Sequence, residues 1–412
     1  MSDDKRLDLD FVRRHFPALA GDWAFFENAG GTFVPEIVLE RLSRYMSETQ
    51  VQPGAPYAAS ALAAERIAES HRLMAEMINA EADEVAIGPS TTANVYILAQ
   101  ALRPWFAPGD ELIVTNLDHE ANNGAWRRLE EFGVVVREWR VEPERAELEL
   151  EALEALLTPR TRLVCFSHCS NITGSINDVA GIVARVHEAG ALACVDAVAY
   201  APHRRLDVKA LDVDFLFCSL YKIYGPHLAL MYGKRELTLR ARGQNHFFFA
   251  ADDLPHKLMP GGYNHELTAA LSGITDYLDA LHRHHFETPR NAVHERLGEV
   301  YRLIAAHEER LATAFLEFLS SKPKVRLIGR PEPDRERRVP IFSFVVEGRD
   351  SGEIPPLLAA HKVAIDNGDF YAARLIRDLG LEDRDGVVRA SMVHYNSEGD
   401  LARLIRHLDE VI

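Results

Sequence analysis

The sequence predicts an α/β protein, with a mostly parallel sheet in a large N-terminal unit and a smaller α+β unit after it. Three observations carry that expectation. Short apolar runs rich in Val, Ile, Leu, Phe and Cys recur at residues 85–87, 111–115, 134–139, 162–166, 191–195 and 213–218, alternating with stretches of helical periodicity. Several runs end in polar groups that can converge at one sheet edge. Beyond Gly233 the pattern changes to a long loop, a long helix and an interleaving of strands and helices.

In chain order, residues 9–16 place apolar side chains at the spacing of a short amphipathic helix. FFENAGGTFVP, from Phe25, passes through a Gly-Gly turn into a helix beginning near Glu36, and Gly30 and Gly31 let backbone approach a ligand closely. A loop at 52–59 precedes an Ala-rich helix at 60–79. The strand at 85–87 leads to GPSTTANVYILAQAL, where Ser90, Thr91 and Thr92 open a helix. Such a start is commonly an ordinary hydroxyl cap, and beside other polar groups it is also an anion site. The strand at 111–115 delivers NLDHEANNGAW, with His119 and Asn122 just past its end. A strand at 134–139 and a helix at 148–157 follow. The strand at 162–166 opens into SHCSNITG, and a helix at 181–188 returns to the strand closed by Asp196. The strand at 213–218 is followed by Ser219 and Lys222.

HFFFAADDLPHKLMPGGYNHE reads as a loop, and 267–281 as a helix ending in His282, His284 and His285. The irregular spacing of those histidines reads as a solvated C-terminal turn rather than a metal site. A helix at 293–319, strands at 325–328 and 341–346, a helix at 354–361, a strand at 363–365, a strand ending at Ser391 and a last helix complete the smaller unit. The expected division is 1–22 as a segment packing with the small domain, 23–288 as the large domain and 289–412 as the small one. The sequence contains no internal repeat and no low-complexity tract.

At 412 residues the chain is long enough for two domains, and its 47% hydrophobic and 26% charged content is that of a globular protein. With 62 acidic against 46 basic residues, a formal charge of −16, nucleic acid and anionic membranes are disfavoured as partners, which leaves room for a local basic pocket. The charged N-terminus and the lack of a membrane-spanning apolar run predict a cytoplasmic protein. Cys165, Cys169, Cys194 and Cys218 sit in or beside apolar runs without CxxC spacing and read as buried, reduced thiols.

An isolated lysine after a strand is ordinarily a solvated side chain, but Lys222 has company. A pyridoxal phosphate site needs a lysine for the Schiff base, a carboxylate to keep the ring nitrogen protonated and donors for the phosphate. It also needs a flat side chain over the ring, a donor to the phenolic oxygen and an arginine for a substrate carboxylate. Each has a candidate here. Ser219-Leu-Tyr-Lys222 also fits the S-x-x-K pattern of serine acyltransferases, but the S-D-N and K-T-G elements of that machinery are missing.

CSLYKIYGPHLALMYG, together with HEAN, SNITG, VDA and VRASMVHYNSEGDLARLI, resembles the class V aminotransferases, and most closely their cysteine-desulfurase-like branch. The resemblance runs from FENAGG to the last helix. It implies fold type I, with a seven-stranded type of sheet in the large domain, pyridoxal 5'-phosphate as cofactor and an amino acid as substrate. It also implies a homodimer with active sites at the interface. Carried over, it implies Lys222 as the Schiff-base lysine, Asp196 at the pyridine nitrogen, His119 on the ring and Asn171 at the phenolic oxygen. Ser219, Thr91, Thr92 and Tyr221 would hold the phosphate, Arg389 the substrate carboxylate, and Asn28 and its neighbours, with Tyr371, would line the substrate side.

Three departures bear on the reaction. Desulfurases of the branch carry a nucleophilic cysteine on a loop before the Arg389 strand; here that loop reads VAIDNGDFYAARL, with Tyr371 in the place and no cysteine after Cys218. Ala199 replaces an expected glutamine, and Gly262 replaces a threonine that relatives lend to a neighbouring subunit's phosphate, leaving Tyr263 or a backbone amide. The resemblance thus implies a β-elimination lyase without a persulfide-forming cysteine. Transamination, epimerisation and a cofactor-binding protein without turnover are the alternatives.

Overall fold

The computed structural model describes residues 5–287, 290 and 292–412. Its strands, in chain order, are β1 (Ala24–Phe25), β2 (Val85–Gly88), β3 (Glu111–Thr115), β4 (Val135–Trp139), β5 (Thr161–Ser167), β6 (Leu192–Asp196), β7 (Phe215–Ser219), β8 (Ala229–Gly233), β9 (Val325–Ile328), β10 (Ile341–Val346), β11 (Val363–Ala364), β12 (Asp366–Gly368) and β13 (Val387–Ser391). Seven form one sheet in the order β2-β8-β7-β6-β5-β3-β4; four form another, β12-β13-β10-β9; β1 pairs with β11. In the large sheet six strands share one direction and β8 alone is reversed, as its antiparallel pairing with both β2 and β7 shows. The mostly parallel seven-stranded sheet expected from the sequence is therefore present.

β3, β7 and β8 are buried along their whole length. That explains why they read as continuous apolar runs instead of alternating ones: helices cover both faces of the sheet. The chain moves from β3 outward to β4, returns past β3 to β5, and continues through β6 to β7. The reversal between β3 and β5 opens a crevice at the carboxyl ends of the strands, where open α/β sheets bind ligands. The loops after β2, β3, β5, β6 and β7 all leave at this edge.

Local differences from the sequence reading matter for the site. Asp196 and Ser219 are the last residues of β6 and β7, held by the ladder, rather than the first residues beyond. VAIDNGDFYAARL is not all loop: β12 pairs with β13, Asp366 opposite Arg389, and the helix Ala373–Asp378 follows. The expected helix at 267–281 is two, His265–Ala270 and Ser272–His285. The three histidines at its end are not simply solvated. His282 is buried against Glu299 at 2.7 Å, His284 pairs with Asp8 and stacks on Phe11, and His285 accepts the Asp8 N–H. Each ring has a packing partner that its spacing in sequence could not reveal.

One apolar core surrounds the large sheet and a second lies on the β9–β13 sheet. The helix Val293–Ser320 serves both: Leu297, Val300 and Ile304 join the first core, and Leu311, Phe315 and Leu319 the second. The N-terminal segment gives Leu7, Val12 and Phe16 to the larger core, while Arg13 reaches the last helix through Asp400 at 2.8 Å. The boundary expected between 288 and 289 falls on residues outside the described ones. Among the described residues no helix is long and apolar enough to cross a membrane.

Candidate active site

A cleft opens at the carboxyl ends of the large sheet, where open α/β sheets bind ligands. Thr91, Thr92, His119, Asn171, Asp196, Ser219, Tyr221 and Lys222 all line it. Five different strand ends deliver these residues, which explains their distance in sequence.

Lys222 lies in a tight turn just after β7, 7% exposed, and its amine has no hydrogen-bond or ion-pair partner among the described residues. Burial, with the positive charge of Arg389, lowers its pKa from 10.5 to about 8, while Asp196 and Glu27 oppose that fall. The turn is pinned from two sides. Thr32 N–H donates to the Tyr221 carbonyl at 3.2 Å and Thr32 Oγ1 accepts from Tyr224 N–H at 3.0 Å. Tyr224 itself is buried at φ +63°, and its hydroxyl donates to the Pro202 carbonyl at 2.9 Å.

Asp196 Oδ1 accepts the Val198 N–H at 2.8 Å. Burial pushes its pKa up from 3.8 to about 6, against the pull of Lys222. Asp118, which the sequence reading passed over, supports this floor. Its carboxylate accepts from Thr115 Oγ1 at 2.8 Å, Asn122 Nδ2 at 2.7 Å and Ser167 N–H at 3.0 Å. Burial, and then the charge of Asp196, push Asp118 up to about 7. The next residue, His119, accepts the Ala121 N–H on Nδ1 at 3.0 Å, and burial lowers its pKa to about 4, so the ring is neutral. Asn122, which follows the same strand, is consumed by Asp118 and Trp126.

At the other end of the cleft, Ser90 caps the helix Thr91–Leu102 by accepting the Ala93 N–H at 3.1 Å. The first-turn N–H groups have no partner within the helix. Thr91 Oγ1 and Ser219 Oγ lie 2.8 Å apart, Tyr221 faces Ser219, and Thr92 is exposed. The cap falls on Ser90, and the hydroxyls of Thr91, Ser219 and Tyr221 cluster apart from it.

Arg389, on β13, is 2% exposed. Its Nη2 donates to Glu27 Oε1, its Nη1 to the Asn171 carbonyl at 3.3 Å, and the Phe370 ring covers the guanidinium at 3.6 Å. Asn171 Nδ2 in turn donates to the Phe370 carbonyl at 3.0 Å, and Glu120 N–H to the Tyr371 carbonyl at 2.7 Å. Phe370 and Tyr371 both have positive φ, and Tyr371, 71% exposed, stacks on His119 with centroids 5.1 Å apart.

Asn28 has a different place from the one expected. It is 2% exposed, its amide donates to the Ser391 carbonyl at 2.8 Å, and its Oδ1 accepts from the Tyr395 hydroxyl. It staples the N-terminal segment to β13, while its neighbour Glu27 is the residue that meets Arg389. Likewise Gly30 owes its small size to Glu27, whose Oε2 a Cβ there would overlap, and Gly31 packs on the Tyr221 ring. Neither needs a ligand to explain it.

The residues fit pyridoxal phosphate. A buried amine and a buried Ser167 Oγ, neither with a hydrogen-bond or ion-pair partner among the described residues, share one cleft with a buried carboxylate that has one oxygen committed and a hydroxyl pair at a helix start. Bound there, the group would be held by Lys222 covalently and would supply a ring that accepts electrons from the substrate.

The Aminotransferase class-V family model matches residues 24–404. The chain is 39% identical over 413 residues to the aminotransferase-like protein FGM3 of Gibberella zeae, covering 98% of each. It is 35% identical over 417 residues to the cysteine desulfurase-like protein ustD of Aspergillus flavus, covering 98% of this chain and 91% of that one. Among solved structures, the cysteine desulfurase CsdA of Escherichia coli aligns with a TM-score of 0.83 at 25% identity over 98% of both chains. The cysteine desulfurase of Thermococcus onnurineus NA1, at 22% identity, shares the fold with a TM-score of 0.88 over 100% of this chain and 99% of that one. Members of this family are fold-type I enzymes that use pyridoxal 5'-phosphate and act on amino acids. With that match along nearly its whole length and a cleft suited to that cofactor, the chain belongs to the class V aminotransferase family.

Proposed function

We propose that the protein is a β-elimination lyase that cleaves a C–S or related bond at Cβ of an amino acid and releases the leaving group into solution. The observation that carries this reading is the convergence of the Lys222 amine with the Asp196 carboxylate in a cleft that offers no reactive thiol. Cys169 is the one cysteine lining it; burial pushes its pKa well above the usual range, and its Sγ lies 3.4 Å from the Gly174 carbonyl. A protonated, tethered thiol is a poor nucleophile. Sulfur leaving the substrate therefore has no side chain to receive it.

The residues take these parts. Asp196 would pair with the ring nitrogen and hold a proton there. Lys222 Nζ, with a pKa near 8, is matched to taking the Cα proton at neutral pH. His119 would cover the ring, Asn171 would donate to the phenolic oxygen, and Thr91, Thr92, Ser219 and Tyr221 would hold the phosphate. Arg389 binds the α-carboxylate, and Tyr371 on His119 narrows the entrance from solvent.

The active form is a homodimer in the cytoplasm, with a large cofactor-binding unit to residue 288 and a small unit from 289. The exposed Phe247 and Phe248 supply apolar surface for a second copy. A second reading, transamination, is favoured by the 39% identity to a protein named aminotransferase-like. Products decide between them. Elimination from L-cysteine or an S-substituted cysteine releases keto acid, ammonia and thiol or sulfide in equal amounts without an acceptor. Keto acid that forms only when a second keto acid is supplied, without ammonia, contradicts the elimination reading.

A further inference from the structure

Arg389 already holds a carboxylate. Of its five N–H donors, Nη2 binds Glu27, Nη1 binds the Asn171 carbonyl, and Nε is buried with no hydrogen-bond partner among the described residues. Glu27 reaches it through two features of the fold. The bridge between Glu27 and Ser391 sets the two segments side by side, and the missing Cβ of Gly30 leaves room for the carboxylate. Arg389 in turn touches a residue of the cleft wall through the Asn171 carbonyl, so the pair adjoins the catalytic cleft.

We propose that Glu27 is a built-in competitor for the carboxylate site: it neutralises Arg389 until a ligand carboxylate displaces it, and thereby sets the affinity threshold for substrate. This rests on Arg389 being the carboxylate site. A ligand that takes the fork bidentately needs two adjacent donors; Nε is free, but each Nη already gives one N–H away, Nη2 to Glu27 and Nη1 to the Asn171 carbonyl. Sharing the guanidinium would set two carboxylates together in a site where Arg389 is 2% exposed, so their repulsion is poorly screened. A tethered side chain also competes at high effective concentration. The Phe370 ring closes one face of the guanidinium, so the ligand has to enter in the plane of the fork, where Glu27 stands.

The test uses the cofactor-loaded protein and propanoate, which has a carboxylate but no amine to react. Its Kd is read by calorimetry and by the change in cofactor absorbance. Glu27→Gln keeps the shape and removes the charge, and it is expected to bind propanoate about tenfold tighter, the value of one charge-assisted hydrogen bond no longer competed for. Glu27→Asp, whose shorter carboxylate loses its hold on Arg389, gives a smaller gain and serves if the glutamine variant does not fold. Arg389→Ala in the otherwise native chain is expected to abolish saturable binding. Unchanged or weaker binding in both Glu27 variants, with Arg389→Ala still deleterious, makes Glu27 a mere support of the arginine and overturns the proposal alone. Full affinity in Arg389→Ala removes the carboxylate-site reading as well.

Discussion

Replacing Asp196 by asparagine separates what its charge does for the empty protein from what it does for the cofactor. In the folded, cofactor-free chain burial raises this carboxyl from 3.8 to about 6, so folding favours the protonated form. Its contribution to stability is thus fully present below pH 3.8 and is lost as pH rises through 6. The rise corresponds to about 3 kcal/mol above that range. An amide at this position keeps an oxygen for the Val198 N–H and carries no charge to desolvate. It also removes the charge that helps push Asp118 up, an effect of the same sign. In urea unfolding of cofactor-free protein, Asp196→Asn should exceed wild type by about 1 kcal/mol at pH 4.5 and about 3 kcal/mol at pH 7.5. With cofactor the order is expected to reverse, since on the proposed reading the carboxylate would pair with a cationic ring nitrogen, and the variant should lose cofactor faster on dialysis. A gap independent of pH, or a variant less stable than wild type at pH 7.5 without cofactor, would refute the reasoning.

Thr91→Val keeps the volume and removes the hydroxyl that meets Ser219 at 2.8 Å. A hydrogen bond to a charged phosphate is worth about 1.5–3 kcal/mol, so the Kd for pyridoxal phosphate should rise roughly tenfold to a hundredfold, measured by fluorescence titration. Gly174→Ala strains a residue at φ +70° and drives a Cβ to 2.5 Å from the Ile341 carbonyl and 2.9 Å from that of Val339. It should destabilise the fold by about 3 kcal/mol and, since Asn171 and Gly174 share one turn, lower cofactor affinity too. Calorimetric melting of the empty protein, followed by the titration, checks both.

Much of the sheet was legible because strands buried on both faces must be apolar throughout, whereas Asp196 and Lys222 stood out only through their company and the family's motifs, and the fold brings both into one cleft. The reversal of β8 was not, since strand direction leaves no trace in composition. Glu27 was hidden for a related reason. Its partner lies 362 residues away, and its local context, FENAGG, drew attention to the amide of Asn28 and to the glycines as ligand contacts. The fold uses Asn28 as a staple and Gly30 as space for Glu27. Asp118 went unnoticed because a carboxylate satisfied by three neighbours looks in sequence like any loop aspartate. His282 shows the converse, a residue that reads as solvated from spacing alone and is buried by a glutamate from the next helix.

On the proposed reading the Lys222 amine, buried and without a hydrogen-bond or ion-pair partner among the described residues, carries the cofactor. Borohydride reduction of the loaded protein, digestion and mass spectrometry test it directly. One reduced pyridoxyl phosphate adduct is expected, on the peptide containing Lys222, and none in Lys222→Ala. An adduct on a different lysine, or an equal yield in that variant, would contradict it.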